Sequence, residues 1–169
     1  MPITKATPAD IPLINQLVNS AYRGQESKKG WTTEADLIDG IRIDEETLAG
    51  YFKNESITIL KYTNQEGQLI GSVYLELKTP DLYLGMFSVL PTLQGNGLGR
   101  ALLQEAEVVA RQLNCKAITM TVISTRKELI SWYERRGYMA TGEKLPLDTK
   151  GRFGDPKQPI ELIVMKKTV

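Results

Sequence analysis

Histidine is absent from this chain. Any proton transfer must therefore fall to a carboxylate, a tyrosine, a lysine, the one cysteine or water, which removes histidine-dependent triads and most zinc sites; no metal is expected. Cysteine is nearly absent too. Cys115 stands alone, so no internal disulfide can form, and its place between a predicted helix and strand suits an ordinary buried thiol. Nor is there an excess of one charge. Twenty-one basic and twenty acidic residues leave a net charge of +1, which gives no electrostatic case for nucleic acid or an anionic membrane as partner. No apolar run approaches the roughly 20 residues of a membrane span, and Met1-Pro2-Ile3-Thr4-Lys5 has neither the basic nor the apolar part of a secretory signal. A cytoplasmic protein, monomer or homodimer, is the expectation. At 169 residues the chain fits one domain, 1–169, with a sizeable core and no repeat or linker.

What is present centres on LYLGMFSVLPTLQGNGLGR, Leu82 to Arg100. The nearly unbroken apolar run Leu82 to Leu90 predicts a strand buried on both faces, ended by Pro91. From Leu98 onward, apolar residues recur at helical spacing: Leu98, Leu102, Ala106, Val109, Leu113. Between strand and helix lie Gln94, Gly95, Asn96, Gly97, Leu98 and Gly99. Glycine permits dihedrals and close approaches that a Cβ blocks, so successive N–H groups can line one hollow. At a helix start the first N–H groups have no internal partner and the macrodipole adds positive charge. A phosphate or pyrophosphate is the natural guest. Arg100-Ala101 stands where a Walker loop needs Lys-Ser or Lys-Thr, and the glycines are spaced two by two, unlike a dinucleotide fingerprint.

Gln94, Gly97 and Gly99 meet the pattern Q/R-x-x-G-x-G/A, with Val89 two residues before Pro91. In this the chain resembles the GNAT superfamily of N-acetyltransferases. The resemblance implies a mixed, mostly antiparallel α/β sheet of six to seven strands flanked by helices and splayed beside the central strand. It further implies acetyl-CoA (coenzyme A) as cofactor and direct transfer of acetyl to a small-molecule or peptide amine. The implied cofactor residues are Phe87, Ser88, Val89, Gln94, Gly95, Asn96, Gly97, Leu98, Gly99 and Arg100. Backbone N–H groups near Phe87 to Val89 would face the thioester oxygen. LISWYERRGY, Leu129 to Tyr138, resembles the family's later motif through Tyr133, Gly137 and Tyr138. Arg126 stands where many members carry Asn, and a guanidinium there suits a phosphate. Tyr133, a phenol protonated at neutral pH, is the implied hydrogen donor to the leaving thiolate; alternatively it is a core tyrosine beside Trp132.

Elsewhere the pattern is read locally. Ile3 to Ala6 suits a short strand. Thr7-Pro8-Ala9-Asp10 opens a helix with the stripe Ile11, Ile14, Val18 and Ala21, stopped by Gly24. Trp31-Thr32-Thr33-Glu34 predicts a second helix carrying Leu37, Ile38 and Ile41, and Asp44-Glu45-Glu46 a third running to Phe52. The family commonly places two such helices after the first strand and uses the loop between them as an acceptor wall, making Trp31 and Glu34 substrate candidates; otherwise they are a staple and a dipole partner. Ser56 to Tyr62 and Leu69 to Lys78 predict a hairpin, with Ser72, Tyr74, Glu76 and Lys78 on its polar face. Glu76 is the candidate base, against a water chain or a merely solvated Glu76. Lys116 to Ile123 predicts a strand, Arg126 to Arg136 a helix, Tyr138 to Thr141 a strand, and Ile160 to Lys166 the last one. The acidic cluster Glu34, Asp36, Asp39, Asp44, Glu45, Glu46 either favours a cationic acceptor or is a set of solvated helix faces. A non-catalytic acyl-CoA sensor would carry the same glycine turn; an open acceptor pocket beside Tyr133 distinguishes the enzyme.

Overall fold

The computed structural model describes residues 2–23, 27–30, 33–147 and 154–169, with backbone alone at Asp39 and Asp155. In chain order the elements are β1 (Ile3–Lys5), α1 (Ile11–Tyr22), β2 (Ile38–Asp39), α2 (Glu45–Phe52), β3 (Ile57–Thr63), β4 (Leu69–Lys78) and β5 (Asp81–Val89). Then come α3 (Leu98–Gln112), β6 (Ala117–Ile123), α4 (Lys127–Glu134), β7 (Met139–Pro146), β8 (Asp155–Pro156) and β9 (Glu161–Thr168). Seven strands form an open α/β sheet in the order β1-β3-β4-β5-β6-β9-β7. Every neighbouring pair is antiparallel except β5 and β6. None of the described helices is long and apolar enough to cross a membrane.

Local chemistry sets the ends of these elements. The Thr7 N–H donates to Asp10 Oδ2 at 2.8 Å, and Lys61 Nζ reaches Asp10 Oδ1 at 3.1 Å, which ties the entry of α1 to β3. Asp44 caps α2 by accepting the Thr47 N–H at 2.8 Å. The β3–β4 turn closes on Asn64 Oδ1, which accepts N–H groups from Glu66 and Gln68 at 3.1 and 2.9 Å. On β4, Val73 and Leu75 enter one core cluster with Leu102, Leu103 and Ala106 of α3. Tyr74, between them, enters another with Ile14 and Val18 of α1 and Leu48 of α2. Successive strand residues point to opposite faces, so the sheet carries α3 on one side and α1 and α2 on the other. Burying Leu102 and Leu103 of α3 stabilises by about 1.5–3 kcal/mol each.

Two features of β5 open the site. Ser72 pairs with Ser88 and Tyr74 with Gly85, so Val73 stands opposite both Met86 and Phe87. This is a β-bulge, and Met86 takes a left-handed φ of 45° to make it. Beyond the bulge, β5 leaves β6. The two pair only at Leu82 with Ile118 and Tyr83 with Thr119, although β5 runs on to Val89 and β6 to Ile123. The expected splay is there. From Leu84 onward β5 has no strand partner on that side.

Four local expectations change. The run 34–41 is not a helix: after one turn, in which Leu37 and Ile38 donate to Glu34 O, the chain forms β2 against β8. Ile38 packs with Ile123 and Ile160, and Gly40 at φ 94° turns the chain away, so tertiary packing overrides the helical spacing. The polar face of β4 is buried at Ser72 and Tyr74, 1% and 8% exposed, with α1 and α2 packed on Tyr74, while Glu76 is half-buried and Lys78 exposed. On β5 only alternate residues are deeply buried, and Tyr83, Gly85 and Phe87 are half-buried where they border the cleft. Finally the strand predicted over Tyr138 to Thr141 is β7, which extends to Pro146 as a fully exposed edge strand.

Candidate active site

The glycine turn is laid out as an amide cradle. Gly95 and Gly97 hold φ 89° and 81°, and Gly97 is the N-cap of α3 with no side-chain cap, so the first amides of the helix face outward unpaired. The first internal bond of the helix is Ala101 N–H to Gly97 O at 3.1 Å. Gly99 is needed for a different reason. A Cβ there would lie 3.3 Å from the Phe87 ring and 3.6 Å from Trp132. The Gln94 Nε2 donates to Val89 O at 3.2 Å and fixes the turn to the end of β5.

This turn borders a cavity of about 310 Å³, also lined by Phe87, Val89, Leu129, Trp132 and Tyr133. Its charged lining is Arg100, Arg126 and Arg136, with no carboxylate among the described residues. The Arg136 guanidinium lies 3.7 Å from the Trp132 ring centroid and donates to Trp132 O at 2.8 Å. Burial, together with the nearby charges of Arg135 and Arg100, pushes its pKa below the ordinary arginine value. A cationic hollow that ends on free helix amides fits a diphosphate-bearing ligand such as coenzyme A.

A second cavity of about 300 Å³ lies in the gap between β5 and β6. Tyr83 to Phe87 line one wall and Met120 to Ile123 the other, closed by Arg23, Glu34, Ile38, Arg42, Leu147 and Leu162. Tyr22, Phe87, Arg126, Leu129 and Tyr133 line both cavities. These five residues form the passage between them.

Tyr133 is held in an aromatic cluster, its ring centroid 5.2 Å from Trp132, 5.9 Å from Tyr138 and 6.3 Å from Phe87. Burial pushes its pKa well above that of a free phenol; Tyr22 and Tyr83 add to the rise and Arg126 opposes it. No described residue hydrogen-bonds its hydroxyl. Tyr22, across the passage, is pushed up to about 12, first by burial and also by the Glu34 charge, against Arg42 and Arg126. Both phenols therefore remain hydrogen donors throughout the physiological range.

Of the expected cofactor residues, Phe87, Val89, Gln94, Gly95, Gly97, Gly99, Arg100, Arg126 and Tyr133 line the first cavity. Three others do not. Ser88 is buried with its hydroxyl bonded to Met86 O at 3.0 Å, Asn96 Nδ2 donates to Leu93 O, and Leu98 packs against the core. Arg126 is buried and pairs with Glu34 Oε2 at 3.3 Å while facing both cavities. Glu34 lines the second cavity, but its other oxygen is taken by Arg23 Nε at 3.0 Å. Glu76 is not brought to either cavity, and its carboxylate accepts the Tyr74 hydroxyl at 2.5 Å. Trp31 lies outside the described residues. Of the described acidic cluster, Asp44 caps α2, Asp36 is an exposed partner of Lys28, and Glu34 is held by two arginines.

Sequence reasoning missed Tyr22, Arg23, Arg42 and Arg136 as site residues. Tyr22 follows Val18 at i+4 on the apolar stripe of α1, and Arg136 follows Trp132 at i+4, so helical spacing carried a signal for both. Nothing local marked Arg23 or Arg42.

Fold and site together define an acyltransferase. The chain belongs to the Acetyltransferase (GNAT) family, whose model matches residues 14–138. Solved structures show the same fold. The ribosomal-protein-alanine N-acetyltransferase of Brucella melitensis superimposes with a TM-score of 0.73 at 20% identity, covering 100% of both chains. The ribosomal-protein-S18-alanine N-acetyltransferase of Escherichia coli gives 0.72 at 17%, over 99% of this chain and 92% of that one. An acetyltransferase from Acinetobacter baylyi ADP1, putative by its description, gives 0.75 at 16%, over 99% and 92%. The uncharacterized protein YdhI of Bacillus subtilis (strain 168) is 26% identical over 90 residues, 53% of this chain and 55% of its own length.

Proposed function

We propose that this protein uses acetyl-CoA to acetylate the primary amine of a small molecule, by direct attack within a ternary complex, in the cytoplasm. The observation that carries this reading is the passage of five residues joining a cationic, amide-lined cavity to a second, separate one. A binding module has no need of the second cavity. A transferase must bring two reactants to one point.

The outward amides at Leu98, Gly99 and Arg100 suit the diphosphate, with Arg100 and Arg136 beside them. Bound there, acetyl-CoA supplies an acyl carbon activated by a thiol leaving group of pKa about 8.5. The β5 edge near Phe87 to Val89, free of β6, offers N–H groups to the carbonyl oxygen. The Tyr133 hydroxyl, uncommitted and protonated, donates its hydrogen to the departing sulfur. Hydrogen bonding is enough for this task, because a phenol with a raised pKa stabilises the thiolate without surrendering its proton fully. The acceptor's own proton passes to water, since both oxygens of Glu34, the one carboxylate on the described lining, are engaged by arginine.

Calorimetry with acetyl-CoA, ATP and NAD, followed by thiol release on an amine panel, tests the reading. Acetyl-CoA alone should bind, and at least one amine should be acetylated. Binding without transfer to any amine would leave only a sensor.

A further inference from the structure

The described lining of the acceptor cavity holds three guanidiniums, Arg23, Arg42 and Arg126, and one carboxylate, Glu34; Arg126 also reaches Glu128 at 3.8 Å. Glu34 is already shared between Arg23 and Arg126, one oxygen to each. Arg42 differs from those two. Among the described residues no carboxylate lies within ion-pair distance of its half-buried guanidinium, which sits 5.3 Å from the Tyr22 ring centroid.

The backbone beneath Arg42 is fixed. Asn19 Oδ1 accepts the N–H groups of Arg42 and Ile43 at 2.7 and 3.1 Å, and Asn19 Nδ2 donates to Ile43 O at 3.0 Å. Three bonds from one α1 side chain thus anchor a loop whose only basic residue faces the cavity. Most of the remaining lining is apolar, including Met86, Met120, Ile123, Leu147 and Leu162. A guanidinium with no carboxylate of the described residues in ion-pair reach, held on the wall of a small chamber rich in apolar side chains, is completed by an oxyanion.

On the acetyltransferase reading above, we propose that the acceptor is a small amino acid: its carboxylate pairs with Arg42, its apolar side chain packs among Ile38, Ile123, Leu147 and Leu162, and its amine points to the passage at Tyr133.

The test compares amino acids with their own carboxamides, for example phenylalanine with phenylalaninamide and methionine with methioninamide. Affinity is measured by calorimetry on the full chain in the presence of CoA, and kcat/KM by thiol release. Acids should bind about 10- to 100-fold more tightly than amides, the range expected for a charge-assisted pair. Arg42→Gln should bring that ratio toward one, and Arg42→Lys should keep part of it, with CoA affinity reporting that each variant is folded. Equal affinity for acid and amide, a preference untouched by Arg42→Gln, or failure of every acid to bind beside CoA would overturn the proposal. Loss of CoA binding in the unmodified protein would instead remove the acetyltransferase reading on which it rests.

Discussion

One continuous stretch, Phe87 to Arg100, supplies half the lining of the proposed cofactor cavity, whereas the proposed acceptor cavity draws on residues as far apart as Tyr22 and Leu162. The first works mainly through backbone: free amides, left-handed glycines and an unpaired strand edge. The second works through side chains, with three arginines and a glutamate set among apolar groups. Backbone donors recognise what every acyl-CoA has in common, its diphosphate. Side-chain charge sorts one acceptor from another. Substitutions in the two halves should therefore fail in different ways.

The largest expected effect is on the acceptor side. Glu34→Gln leaves Arg23 and Arg126 buried without their shared counter-charge, so the protein should lose about 3–5 kcal/mol of stability in urea titration. Stability within experimental error of the parent would show that the triad is not what holds this wall. Next is the passage. Tyr133→Phe should lower kcat about 100-fold while calorimetric CoA affinity stays nearly constant, and unchanged turnover would remove the tyrosine from the chemistry. On the cofactor side, Gly97→Val meets a φ of 81° that costs an L-residue roughly 1–2 kcal/mol and places an isopropyl group on the cradle. CoA affinity should fall about 10-fold or more, and Gly97→Asn, which tolerates that dihedral, should fall less. Equal affinities for parent and valine variant would dissociate the turn from the cofactor.

The smallest effect is an absence of change. Burial raises both Tyr22 and Tyr133, so each keeps its proton as pH climbs past the ordinary phenol value. The rate should rise as the amine deprotonates and show no falling limb between about pH 9 and 10.5. A decline near pH 10 would mean that the working tyrosine titrates like an exposed one.

The same contrast explains what was legible in the sequence. A strand, a glycine turn and a helix start are encoded contiguously, so Val89, Gln94, Gly97 and Gly99 could be placed before any coordinates. Tyr133 followed from its motif. The acceptor wall is a tertiary object. Glu34 read as a substrate contact or a first-turn acid, not as an ion-pair hub, because its partners lie 11 and 92 residues away. Ile38 read as helical because its contacts, Ile123 and Ile160, are equally remote. Glu76 read as a candidate base or a solvated residue because nothing local announced that the neighbouring Tyr74 hydroxyl takes up its carboxylate. The charge balance of the cavity became countable only once Arg23, Arg42 and Arg126 were brought together.

A crystal structure with CoA tests the two-cavity account most directly. The account places the diphosphate on the amides of Leu98 to Arg100 and the thiol in the passage, within hydrogen-bonding reach of the Tyr133 hydroxyl, with the Arg42 cavity still open beyond it. Coenzyme bound across the Arg42 cavity, or with its thiol directed away from Tyr133, would contradict it.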